Sequence, residues 1–216
     1  MDEHEYKVGD LYKRNHFRRR KINGEWRYWR DGKNRAEEML PNLKRKTTET
    51  NQNEDMAACN PKYLKGGVYK NNCISCALAY DMRRRGYDVE AMPIDTTSAT
   101  NGSLPVQLGF YKGEKLETFE VPSDDEAAMK QFSDRILKYG DGSRGLLRIR
   151  WKNGDGHAAI WEVSGDTVVI RDPQNNTIVN LSDYLRRAKT FYYFRTDNLK
   201  LTDKVTEFVR NYNGGD

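Results

Sequence analysis

The chain has 216 residues, 25.2 kDa, 37% hydrophobic and 32% charged, and a net charge of +5. That length suffices for one good-sized core, or one core with an arm, and the polar composition excludes a membrane-spanning reading. Residues 1–20 are charged and polar from the start, so no secretory signal is expected there. Three cysteines, an odd number, argue against a disulfide-built scaffold and for a chain kept reduced where it works.

The charge is uneven. Lys13, Arg14, Arg18, Arg19, Arg20, Lys21, Arg27, Arg30, Lys33 and Arg35 crowd the first part of the chain, with Trp26, Tyr28 and Trp29 among them. Basic residues interleaved with aromatics can grip a nucleic-acid backbone and stack bases, or dock an acidic partner; a plain solvated arm is the simpler reading. Asn23-Gly24 is a tight-turn signal that makes residues 1–34 a hairpin-like arm. Residues 35–46 read as a short helix interrupted by Pro41, and Thr47–Asp55 as a polar linker. These place a boundary near Asp55: residues 1–55 as basic arm and linker, residues 56–216 as the folded domain.

Beyond it the periodicity predicts a helix over 72–85, with Ile74, Leu78 and Met82 on one face and Gly86 as its stop. Strands follow over 87–92 and 106–111, then a helix capped by Ser123 with Met129, Phe132, Ile136 and Tyr139 at helical spacing. The last third reads as strands over 146–152, 157–163, 167–171, 177–179 and 190–195, with short helices near 182–187 and 203–212. Asn153-Gly154-Asp155-Gly156 and Ser164-Gly165-Asp166 are short turns, so the strands form antiparallel hairpins. The predicted class is α+β, with the cysteine-bearing helix against an antiparallel sheet.

Cys73-x-x-Cys76 is half a zinc site without its other half, and Cys59 stands alone, so no metal or other cofactor is expected. A thioredoxin-like motif would follow a strand in a βαβ unit, which this one does not. Two buried structural thiols are the plain alternative. What weighs against it is His157, which opens an apolar strand after a glycine-rich turn, while the next strand ends at Asp172. In a hairpin those two positions are neighbours, and a carboxylate there can accept the Nδ1 proton and fix the tautomer. The remaining nitrogen can deprotonate a thiol at a helix N-terminus, where the dipole favours thiolate. A nucleophile, a base and an orienting group thus converge. A cysteine hydrolase follows; a nucleic-acid-binding or non-catalytic binding protein on the same scaffold is the alternative from another class.

The order Cys, His, Asp in these contexts resembles the papain-like fold, specifically the papain-fold toxin domains of bacterial polymorphic toxins and phage-borne proteins, a group similar to glutamine-deamidating effectors. The matching stretches are Asn60-Pro61, Tyr69-x-x-Asn72-Cys73-x-x-Cys76, Arg84 to Ala91, Gly156-His157 and Asp172-Pro173-Gln174. The resemblance implies an amidohydrolase acting on protein glutamine side chains, with proteolysis or acyl transfer as alternatives through the same triad. It also implies delivery into a target cell's cytoplasm as part of a secreted or phage-borne protein, a protein substrate there, and an immunity protein as a further partner. Asn72 as helix cap puts Cys73 in the first turn as nucleophile; the precedent of papain, whose second cysteine attacks, keeps Cys76 as the alternative. Asn72 and Gln174 are candidate oxyanion or substrate contacts, and Gln174 serves equally well as a turn cap.

Overall fold

The computed structural model describes residues 17–22, 25–30, 40, 42–93, 109–113 and 115–214. An N-terminal hairpin pairs β1 (Phe17–Ile22) with β2 (Glu25–Arg30) antiparallel, Ile22 opposite Glu25. Asn23 and Gly24, read as the turn, lie outside the described residues, as do positions 35–39 and 41 of the expected short helix. Residues 42–46 are not helical: Arg45 bridges to Tyr87 as an isolated antiparallel pair, and Lys46 N–H donates to the Gly86 carbonyl.

The stretch expected as a linker also differs. Gln52–Ala57 is a helix, α1, started by a capping box in which Asn51 accepts from the N–H groups of Asn53 and Glu54 while Glu54 accepts from Asn51. Its polar composition reads as linker until the partners are seen. Asp55 is fully buried, accepting from Arg84 at 2.9 Å and Thr50 at 2.7 Å, with Lys46 and Arg83 beside it.

The cysteine helix α2 (Cys73–Arg84) is buried along its whole length except at Cys73, which is half-buried. Small residues (Ser75, Ala77, Ala79) let it approach the sheet closely. Charge buried on such a helix must be paired. Asp81 accepts from Arg85 (2.6 Å), Arg144 (2.7 Å), Tyr111 (3.0 Å) and Thr196 (3.0 Å). Burial by itself would raise its pKa; the Arg85 and Arg144 guanidinium groups outweigh that and hold it at about 2. The arginine run Arg83–Arg85 at the end of the helix is thus mostly an internal ion network.

After β3 (Val89–Ala91), β4 (Tyr111–Lys112) and β5 (Glu117–Glu120) comes α3 (Asp125–Leu137). Its N-cap is Asp124, which accepts from Ala127 N–H at 2.6 Å, one residue after the expected Ser123. Then follow β6 (Arg144–Trp151), β7 (Gly156–Ser164), β8 (Thr167–Asp172), β9 (Thr177–Val179), α4 (Leu181–Arg187) and β10 (Ala188–Arg195). The main sheet is antiparallel throughout, in the order β5-β10-β6-β7-β8-β9.

Strand alternation assigns the two faces. Leu146, Ala158, Ile160 and Phe194 join the core of α2; Leu147, Ile149, Ala159, Trp161, Phe191 and Tyr193 join the core of α3 and α4. At Gly145 on β6 the two flanking strands leave no room for a side chain: a Cβ would stand 2.2 Å from the Phe194 carbonyl oxygen on β10 and the Trp161 ring on β7.

The C-terminal helix expected over 203–212 is a 3₁₀ turn, Asp203–Glu207, followed by β12 (Val209–Asn211) paired with β3; a further short strand, β11 (Lys200–Leu201), pairs with β4. Val205 and Phe208 keep helix-like spacing, but Val209–Asn211 satisfies the backbone of β3, which the main sheet leaves unpaired. No helix among the described residues is long and apolar enough to cross a membrane.

Candidate active site

Asn72 occupies the N-cap position of α2, but its side chain does not cap the helix. It is fully buried, donating to the Met92 carbonyl at 3.3 Å and meeting the Asn60 amide at 3.4 Å. Asn60 in turn donates to the carbonyls of Tyr69 (2.9 Å) and Gln174 (2.8 Å). These two asparagines brace the start of the cysteine helix against the turn that follows β8. In this structure the Asn72 side chain serves as a brace. The first-turn N–H groups of α2 are left without a side-chain cap, and the positive end of the helix dipole bears on Cys73.

His157 and Asp172 meet as the hairpin implies. The pairing of Ile160 with Arg171 carries Asp172 level with Ala159, so His157 is its diagonal neighbour on the same face. His157 Nε2 lies 2.8 Å from Asp172 Oδ2. The nitrogen differs from the expected Nδ1: Asp172 is displaced along the sheet from His157, and the ring atom farther from the backbone is the one that reaches it. Nδ1 is left for the thiol. Asp172 Oδ2 also accepts from Tyr184 at 2.9 Å, and Oδ1 from Gln174 N–H at 3.1 Å. Gln174 thus enters the site through its backbone, donating to the carboxylate and accepting from Asn60.

The three thiols separate cleanly. Cys59 and Cys76 are fully buried, and burial pushes both thiols up, far from reactivity. Cys73 is also penalised by its surroundings, but a hydrogen bond and the charge of His157, the Arg148 guanidinium and the Ala158 N–H together bring its thiol below the ordinary value. His157 moves oppositely: burial works against its charged form, yet its bonds to Asp172 and Cys73 raise it to about 9. The pair is disposed as thiolate and imidazolium. Cys76 packs in the core of α2, so the second-cysteine precedent does not transfer to this geometry.

Aromatic residues that the sequence did not single out enclose the imidazole. Trp151 stacks on it (6.3 Å between ring centroids, 17° between planes), and Tyr184 meets it edge-on at 6.1 Å. Trp151 precedes the same turn that His157 follows, a signal the hairpin carries; Tyr184 comes from α4 and had none. Among the described residues no group of three or more His, Cys, Asp or Glu side chains is placed to hold a metal.

The geometry gives a definite pH profile for the thiol. Iodoacetamide should label Cys73 rapidly at neutral pH, below the ~8.5 of a free thiol, with Cys59 and Cys76 inert in the folded protein. His157→Ala should slow that labelling. Equal labelling of all three cysteines, read by peptide mass mapping, would contradict this arrangement.

No curated protein matches the chain. Among solved structures, the crystal structure of the Pseudomonas avirulence protein AvrPphB aligns at 14% identity with a TM-score of 0.30, over 38% of this chain and 50% of that one. The chain thus spans half the length of that relative. The model of the family described as papain fold toxin 1, glutamine deamidase, matches residues 71–177, a range containing Cys73, His157 and Asp172. The α+β architecture is the papain-like fold, and over those residues the chain is similar to the papain-fold toxin family of glutamine-deamidase type.

Proposed function

We propose that the protein is a cysteine-dependent amidohydrolase that converts glutamine side chains of a target protein to glutamate. The observation that carries this reading is the Cys73 thiol within hydrogen-bond reach of a His157 that is itself held by Asp172, inside the segment matching the deamidase family. Cys73 Sγ attacks the carboxamide carbon, and the oxyanion forms near the uncapped first turn of α2. His157 gives its proton to the departing nitrogen, ammonia leaves, and a thioester remains on Cys73. His157 then takes a proton from water, hydroxide adds to the thioester, and glutamate departs as the thiolate returns.

The role of Asp172 is to hold the ring by Nε2 and to stabilise the imidazolium; Tyr184 and the Gln174 N–H hold Asp172. Trp151 and Tyr184 shield the ring from bulk water, which strengthens each charged contact. Because catalysis uses the protonated imidazole, turnover should hold across neutral pH and fall as pH rises through about 9, where His157 loses its proton.

The test is incubation with capped glutamine peptides, reading ammonia release together with peptide mass. Ammonia in step with conversion of the carboxamide to a carboxylate supports the reading. Peptide fragments, with the glutamine carboxamide intact, would replace it with proteolysis.

A further inference from the structure

One cation at the site has no carboxylate partner among the described residues. Arg148 lies on β6 opposite Ala158 on β7 and Tyr192 on β10, on the sheet face that α2 covers. Its side chain is half-buried and runs over Gly156, where a Cβ would come within 2.7 Å of a guanidinium nitrogen. Its charge is felt at Cys73. Yet among the described residues nothing bonds or ion-pairs the guanidinium.

The other arginines of this core are treated differently. Arg83, Arg84, Arg85, Arg144 and Arg171 are each held against a carboxylate: Asp55 or Asp88, Asp55, Asp81, Asp81 and Glu162 respectively. Removing a cation from water without an anion is costly, and these five avoid the cost, as do the half-buried Arg195 and Arg210, held by Asp197 and Glu90. Arg148 instead stands over a glycine that leaves it room, next to the catalytic histidine in sequence. Gly156 sits directly before His157, so a side chain at that position would displace Arg148 from the site.

We propose that Arg148 forms an anion subsite that takes a carboxylate of the substrate close to the carboxamide under attack. This deepens the deamidase reading and rests on it: the preferred substrate is a glutamine with a carboxylate nearby, supplied by an acidic neighbouring side chain or by the α-carboxylate of a C-terminal glutamine. A guanidinium and a carboxylate form two parallel charge-assisted hydrogen bonds, which orient the substrate as well as hold it.

The primary test does not depend on deamidation. The intact protein is alkylated with iodoacetate and with iodoacetamide, which deliver nearly the same carbon to Cys73 but differ in charge, and the ratio of the two rates is compared with that of Arg148→Met. Any change in thiol ionisation affects both reagents and cancels in the ratio. The subsite predicts that the iodoacetate-to-iodoacetamide ratio falls by roughly 10-fold or more in Arg148→Met, the scale of one charge-assisted contact, and less in Arg148→Lys. An unchanged ratio in the folded variant overturns the proposal.

A second arm uses capped peptides in which glutamine is flanked by glutamate or by alanine, and a peptide ending in free glutamine. A kcat/KM advantage for the glutamate-flanked peptide that Arg148→Met erases places the anion in the neighbouring residue. An advantage confined to the C-terminal glutamine places it at the α-carboxylate. If no peptide is deamidated while the alkylation ratio still depends on Arg148, the deamidase reading has failed and the anion subsite stands.

Discussion

Asp172→Asn should lower amide turnover by about 10³- to 10⁴-fold in a protein that stays folded. The substitution keeps the shape of the side chain. It can place an N–H where Oδ2 now accepts from both His157 Nε2 and Tyr184 OH, or where Oδ1 accepts from Gln174 N–H. In either orientation the imidazolium loses its anion. Cys73→Ala should abolish covalent chemistry, and adding Asp172→Asn to it should cost little more, because members of one catalytic unit are not additive. The measurement is turnover for the two single variants and the double variant, with circular dichroism as the check on folding. Near-normal turnover in folded Asp172→Asn would remove Asp172 from the mechanism.

The second large effect is on stability. Asp81→Asn should destabilise the fold by about 3–5 kcal/mol, because Arg85 and Arg144 would remain buried without their carboxylate. For a chain of this size that is a fall in Tm on the order of 10 °C. The pH dependence has a definite sign. The folded-state pKa of Asp81, about 2, lies below its unfolded value near ~3.9. Its contribution is therefore present above the unfolded value and is lost as pH falls toward 2. Thermal melts of wild type and variant should accordingly converge in acid and diverge at neutral pH. Equal Tm values at pH 7 would show that the network does not hold α2 in place.

Local chemistry made much of this legible. The cysteine helix, the hairpin turns and the apolar alternation of β7 and β8 are short-range signals, and together they bring His157 beside Asp172. Long-range pairing was not legible. Arg84 and Arg85 look like solvated charge at a helix end until Asp55 and Asp81 are seen beneath them. Residues 47–55 look like a linker because their partners on α2 lie some thirty positions away. Val209–Asn211 has helical neighbours but completes a strand pair with residues 89–91. The same holds at the site: Tyr184 and the contacts of Asn60 reach it only through tertiary structure, and the choice of Nε2 over Nδ1 follows from the diagonal stagger of two strands.

The most direct test of the central claim is to catch the intermediate. Protein turning over a capped glutamine peptide is quenched in acid, which preserves a thioester, and its digest is mapped by mass. The mechanism predicts the peptide's acyl group, less ammonia, on the fragment containing Cys73, and its absence after His157→Ala. An acyl group on Cys76 or Cys59, or turnover of the amide with no acyl group on any cysteine, would contradict the mechanism.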